Sequence, residues 1–378
     1  MFYYEGVAGY TFIMGVIALF IYIYMFFKSA LIYGSVYYRT ELYIALSTFT
    51  TYLLSIIMFG QSPTIISAYL IPFSFVPYFF LVKTNADTKT VEKVLVTISV
   101  LYIFCWLYQV SQIPHVVFGE RDDAIDNDRG FARFYIATKE HLPFLIFYFL
   151  SCYTKRKDFL YAVLAFLVFG VVIFHVARQM IVWSGLMAFA YIIYMNKKNA
   201  KKIIAFAIVG GVAFFIMTAH FTILNDLIAV TENSTGGSNE FGMGNIRFEA
   251  MSKFISDFNT NILSILFGSG YAAVGTSLYS KITWFANQGY YISDVGFVGL
   301  YVSQGLVSVI LYSVLLFKVL FKCKVPKEYL YLKFYIGYIV LSYLGSHALT
   351  SNLILIMIAI YILKHTSKNG TRDYILST

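Results

Sequence analysis

Long apolar stretches recur along almost the whole chain, each closed by a short polar connection. A helix needs about 20 mostly apolar residues to cross the hydrocarbon core of a bilayer. By that measure the pattern predicts spans over Gly9–Phe27, Glu41–Met58, Thr64–Val82, Val94–Ile113, Tyr135–Tyr153, Phe159–Ala177, Gln179–Met195, Ile203–His220 and Ser293–Phe317. The last stretch, between Lys333 and Lys364, is long for one helix and short for two. Gly345-Ser346-His347 and Thr350-Ser351-Asn352 interrupt it, so it reads as two short helices joined by a tight turn. The expected fold is an all-α polytopic membrane protein with about eleven transmembrane helices, a class in which every backbone group is paired inside its own segment. No internal repeat and no low-complexity linker divides the chain, so residues 1–378 read as a single transmembrane domain.

Composition strengthens this reading. Of the 378 residues, 59% are hydrophobic and 12% charged, against about 25% charged in an ordinary soluble domain. That excess exceeds what a globular core could hide, so lipid must solvate part of it. Soluble enzymes and nucleic-acid binders are excluded, despite a net charge of +9. Cys105, Cys152 and Cys323 lie in or beside apolar stretches with no CxxC spacing, and read as inert thiols rather than a disulfide or metal site. The start of the chain lacks a basic n-region and carries Glu5, so no cleavable signal peptide is expected.

Charge placement orients the spans. Short cytoplasmic loops retain Lys and Arg. With the N-terminus outside, alternation puts these groups inside: Lys28 and Arg39; Lys83, Lys89 and Lys93; Lys155, Arg156 and Lys157; Lys197, Lys198, Lys201 and Lys202. Lys318, Lys322, Lys324, Lys327 and Lys333 follow, then Lys364, Lys368 and Arg372. A single final helix would strand the last group outside, so parity favours eleven spans and a cytoplasmic C-terminus. Two outer loops are long, 114–134 and 221–292, whereas every inner loop is short. The polar site is expected on the outer face.

Arginine resists the inward sweep. Arg121, Arg129, Arg133, Arg178 and Arg247 fall outside, with only Lys139, Lys253 and Lys281 among the lysines. A guanidinium is a planar fork suited to phosphate or carboxylate and stays charged. An outer anion site accounts for the sorting. For Arg121 and Arg129, which lie within the acidic run Glu120, Asp122, Asp123, Asp126 and Asp128, pairing with that run is the better account. That acidic run reads as a solvated loop or a weak Ca²⁺ site.

Arg178 lies in Phe174-His175-Val176-Ala177-Arg178-Gln179, between two spans, so His175, Arg178 and Gln179 sit at the interface. A charge there needs a partner, a wet cavity or a snorkelling path to the headgroups. From Asn245, apolar residues recur at Phe248, Met251, Phe254, Ile255 and Phe258. This spacing predicts an amphipathic helix on the outer interface, with Asn245 as N-cap and Arg247 and Glu249 in its first turn. Gly268-Ser269-Gly270 is either a close backbone approach to a ligand or a simple turn. In Tyr290-Tyr291-Ile292-Ser293-Asp294, Asp294 heads an apolar span. It reads as a general base or as a helix cap with Ser293, and the two roles are compatible.

In order, Ala177-Arg178-Gln179, Arg247 ahead of Phe267-Gly268-Ser269-Gly270, and Ser293-Asp294-Val295-Gly296-Phe297 followed by Ser303-Gln304-Gly305-Leu306 resemble the Wzy-type O-antigen and capsule polymerases and the related O-antigen ligases. The hydropathy profile resembles that family over nearly the whole chain. The resemblance implies a bacterial inner-membrane glycosyltransferase with a periplasmic N-terminus and a large periplasmic loop. Its substrate would be an oligosaccharide on undecaprenyl pyrophosphate, transferred to the next lipid-linked repeat unit. Arg178 and Arg247 would bind the pyrophosphate. Asp294 stands where the ligases often carry a His, which favours polymerase over ligase and leaves the base open among Asp294, His175, Glu249 and His347. Arg133, Gln179, Gly268, Gly270 and Tyr291 complete the expected substrate contacts. Membrane lipid is a further partner, a chain-length regulator protein another, and nucleic acid none. Preorganised arginines stabilise a departing diphosphate without a metal, and no clustered ligand set suggests a metal or cofactor. The rival readings are an O-antigen ligase, a flippase for the same lipid-linked sugar and a non-enzymatic scaffold.

Overall fold

A computed structural model of the protein describes residues 24, 39–61, 74–112, 115, 117–118, 125–126, 133–134, 138–175, 178–199, 246–272, 275–346 and 348–367. The predicted spans Gly9–Phe27, apart from Tyr24, and Ile203–His220 lie outside these residues, as do the first half of Thr64–Val82, most of the outer loop 114–134, residues 221–245 of the second outer loop with Asn245, and His347. The described chain is helical apart from one pair of two-residue strands, β1 (Ile125–Asp126) and β2 (Arg133–Phe134), antiparallel with Asp126 opposite Arg133. Among the described residues, three helices are long and apolar enough to cross a membrane: Arg39–Phe59, Thr88–Ser111 and Gly296–Lys322. The chain forms two compact units, one of Met1–Val100 with Ala250–Thr378 and one of Leu101–Glu249.

In the first unit, α1 (Arg39–Phe59) inverts the arrangement of a soluble helix. Thr40, Glu41, Ser47, Thr48, Thr51 and Ser55 are buried, whereas Leu53 and Ile57 face outward, Ile57 at 78% exposure. Small polar residues at a helix interface allow close approach and hydrogen bonding where apolar faces gain nothing by leaving lipid. Helix α2 (Phe75–Thr84) ends on a left-handed Asn85. Helix α3 (Thr88–Ser111) starts under an Asp87 cap, whose carboxylate accepts from Thr90 Oγ1 at 2.8 Å and Thr90 N–H at 3.0 Å. Those hydrogen bonds hold the Asp87 carboxyl below its usual range. The chain enters the second unit within α3.

There, α4 (His141–Arg156) and α5 (Phe159–Phe174) form a hairpin, and α6 (Arg178–Met195) packs on both. Pro143 sits in the first turn of α4, where its missing N–H is harmless. Lys157 closes α4 in the left-handed region, and Asp158 opens α5 by accepting from Leu160 N–H at 3.0 Å.

Helix α7 (Ile246–Lys253) returns to the first unit and continues as a π turn, Phe254–Phe258. The predicted apolar face divides. Ala250, Phe254 and Phe258 enter a core with Leu278, Phe285, Val295 and Val302, whereas Phe248 and Ile255 face outward. Next come α8 (Ile262–Phe267), α9 (Ser277–Ala286) and α10 (Gly296–Phe317), the last extended by a π turn to Lys322. The closing stretch is α11 (Leu330–Ser342), α12 (Ala348–Ser351) and α13 (Leu353–His365). The helix therefore stops before Gly345, and Asn352 separates the two pieces beyond it.

Helix ends of the first unit gather by charge. At one end, the buried Lys364 of α13 forms an ion pair with Glu41 of α1, and Tyr78 of α2 donates to Glu41 Oε1 at 3.0 Å. Lys318 donates to Thr40 Oγ1 at 2.9 Å, Tyr361 to the Ala86 carbonyl at 2.6 Å and Tyr331 to Glu92 Oε1 at 2.6 Å. This lysine-rich end joins α1, α2, α3, α10, α11 and α13.

Candidate functional site

The opposite end of the first unit is rich in glycine. Helix α10 breaks at Gly305, whose φ of 75° and ψ of 177° leave the helical region. A break strands carbonyls in a buried place, where an unpaired one is costly. The Gly268–Gly270 turn supplies the donors: Ser269 N–H and Gly270 N–H each reach the Val302 and Ser303 carbonyls, respectively, at 2.9 Å. The fit is tight, since a Cβ on Gly268 would lie 2.5 Å from the Gln304 nitrogen, and one on Gly305 would strike the Leu266 carbonyl. Polar side chains line this splice. Thr48 donates to Gln304 Oε1 at 3.2 Å, Ser269 to Asn259 Oδ1 at 2.7 Å, and Thr51 to the Phe267 carbonyl. The Tyr271 phenol has hydrogen-bonding partners in Ser303, Gln304 and Thr350. Gly268 and Gly270 thus approach the backbone and side chains of their own unit.

Asp294 closes a 3-10 turn, Ile292–Asp294, that precedes α10, and Val295 rather than Asp294 occupies the cap position. Its carboxylate is half-buried and accepts from Ser293 Oγ at 3.3 Å. Tyr291 is exposed at the start of the same turn. Nearby, Lys281 of α9 donates to the Phe258 carbonyl at 2.6 Å and lies 4.7 Å over the Phe258 ring. Burial pushes the Lys281 ammonium down from its usual range, against an upward pull from Asp257.

The second unit holds the other expected residues. Arg178 is the first residue of α6 and Gln179, half-buried, the second. Only the backbone of Arg178 and of Arg133, on β2, is described. Arg247 and Glu249 are exposed in the first turn of α7. His175 ends α5 three residues before Arg178 and is buried. Its ring lies 6.3 Å from Tyr102 and 5.3 Å from Trp106, both on α3. The His141 ring also stacks with Tyr102, at 5.9 Å. Glu140 is buried in front of α4, makes no cap with its side chain, and lies within electrostatic reach of the Tyr102 phenol. One turn further along α3, the buried Gln109 accepts from Val117 and Phe118 N–H at 2.8 and 2.7 Å and donates to the His115 carbonyl.

His175 thus stands at the end of α5, and Gln179 and the Arg178 backbone at the start of α6. The structure places Arg247 and Glu249 on α7, and Asp294, Tyr291, Gly268 and Gly270 in the other unit; His347 lies outside the described residues. Sequence reasoning passed over Glu140, His141, Tyr102 and Trp106. An acidic residue followed by His inside the predicted span Tyr135–Tyr153 was the available signal, because ionisable groups within apolar spans mark functional positions. Among the described residues, no three His, Cys, Asp or Glu side chains group as metal ligands.

Compared with known protein families, curated proteins and solved structures, the chain matches none.

Proposed function

We propose that the chain is an inner-membrane protein of about eleven spans that polymerises lipid-linked oligosaccharide repeat units on the periplasmic face. The observation that carries this reading is the junction of α5 and α6. A buried His175 ends one apolar helix and Arg178 opens the next. Unpaired N–H groups and the dipole at a helix start favour an anion, and a guanidinium adds a full charge. Lipid diphosphate is the anion available at a membrane interface whose departure makes a glycosyl bond. Arg247, exposed in the first turn of α7, would supply a second such grip. Gathering of the lysine-bearing helix ends of the first unit supports the topology, with that end cytoplasmic.

In the reaction, the growing glycan leaves its lipid diphosphate for a hydroxyl of the next lipid-linked repeat. Arginine stabilises the charge that develops on the departing oxygen. Cells that make the native repeat unit provide the test. Arg178→Ala and Arg247→Ala should each leave single-repeat glycans at normal protein level. Lys253→Ala should keep the ladder, because Lys253 pairs at the surface with Asp257, at 3.7 Å. Lysine at either arginine position should rescue in part, since the bidentate fork is lost.

One observation favours a second reading. The break in α10 is a feature of transporters, whose broken helices bind substrate, and a flippase for the same lipid-linked sugar would use one. Transbilayer movement of the repeat unit without chain extension would select it.

A further inference from the structure

We propose that His175 is the general base of this reaction, held by a buried group of Tyr102, Glu140 and His141. The proposal rests on the polymerase reading and assigns its proton acceptor. Four side chains that can carry or exchange protons converge from three helices of one unit. Tyr102 on α3 stacks with both the His141 and the His175 rings, and the Glu140 carboxylate lies within electrostatic reach of its phenol. All four are buried. Ionisable groups are costly to keep inside an apolar helical unit, and where they persist they carry protons, ions or substrate.

Position selects His175 from the group. Arg178 follows it by three positions, so the two Cα atoms lie within about 11 Å, the reach of three fully extended residues. A diphosphate held at the start of α6 therefore presents its glycosyl carbon near the His175 imidazole. Trp106 and Tyr102 wall the ring and restrict its orientation. The Glu140 carboxylate, within electrostatic reach of the Tyr102 phenol that stacks on His175, adds negative charge to the group and favours the imidazolium that appears during proton transfer. The balance is complete without a further reactant. An acceptor sugar hydroxyl loses its proton to His175 as its oxygen bonds to the donor's anomeric carbon. The bond from that carbon to the phosphate oxygen breaks, its electron pair leaves with the lipid diphosphate, and the imidazolium then releases its proton to solvent. Glu140 and Tyr102 act as positioning residues.

The test uses the full-length purified protein with a lipid-diphosphate-linked repeat unit. His175→Gly should lower kcat by about 100-fold or more, the usual contribution of a general base, with the donor KM unchanged. Added imidazole should restore at least a tenfold part of that loss, which a packing role would not allow. Glu140→Gln should lower kcat while Glu140→Asp recovers part of it, and His175→Gln, which preserves packing, should be as slow as the glycine variant. Turnover within threefold of wild type in His175→Gly or His175→Gln overturns the assignment, as does a slow glycine variant that imidazole leaves unchanged. Wild-type protein that extends no glycan overturns the polymerase reading and the assignment with it; an active wild type with an active His175→Gln protein overturns the assignment alone.

Discussion

Lys364 and Glu41, separated by most of the chain, form a buried ion pair that ties the end of α13 to the start of α1. Tyr78 completes the contact from α2. Removing one partner of a buried pair leaves an uncompensated charge, at a cost of about 3–5 kcal/mol, whereas replacing both by apolar side chains is often neutral. Lys364→Met and Glu41→Leu should each lower the thermal unfolding midpoint in detergent, and the double variant should recover most of the loss. Additive losses in the double variant would show that the pair is not a coupled unit.

The same contact orders the membrane topology. Helix ends joined around Glu41 and Lys364 must share a face, and α10, broken at Gly305, leads from that face back to the Gly268–Gly270 splice at the other end of the unit. Cysteine placed at Lys89 or Lys327 should resist an impermeant thiol reagent in intact spheroplasts, whereas cysteine at Asn287 should react. All three positions are exposed, and the native cysteines Cys105, Cys152 and Cys323, which form no disulfide, would first be replaced by serine. Labelling of all three sites from one side would break the proposed arrangement.

Glycine at the α10 break should be irreplaceable. Gly305→Ala and Gly268→Ala each force a Cβ into backbone from the other strand of the splice, at positive φ. Both should fold poorly or lose several degrees in unfolding midpoint. Gly170→Ala in α5 meets nothing within 4 Å, and helix propensity favours alanine there by about 1 kcal/mol, so this variant should be neutral or stabilised. Equal effects at all three sites would contradict the account of the splice.

Lys281 gives a pH signature. Burial lowers its folded-state pKa below the unfolded value. Between the two values the unfolded chain binds more protons, so stability rises as pH climbs from the folded pKa toward the unfolded one. Lys281→Met should flatten that alkaline rise in the unfolding midpoint, and an unchanged slope would remove Lys281 as its source.

Helix existence was legible where apolar runs were long. The prediction Gln179–Met195 misses α6 by one residue, and Glu41–Met58 lies just inside α1. Val94–Ile113 underestimates α3, which begins at Thr88 because Asp87 caps it in a polar connection that hydropathy discounts. Pairings across distant residues were not legible. Lys364 was counted as a loop charge, since nothing near it in sequence reveals Glu41. Ser303-Gln304-Gly305 stood out as a motif, but the break appears only when the Gly268–Gly270 turn is in place to receive its carbonyls. The site was half visible: His175 and Arg178 share a few residues of sequence, whereas Tyr102 and Glu140 reach His175 only through the packing of α3 against α4 and α5.

Extension of a defined lipid-diphosphate-linked repeat unit by the purified protein in liposomes tests the central claim most directly. Wild-type protein should produce a ladder and release lipid diphosphate with each added repeat, and Arg178→Ala and Arg247→Ala proteins should leave the single repeat unconsumed. A full ladder from either arginine variant, or repeat units moved across the bilayer and never joined, would contradict the account.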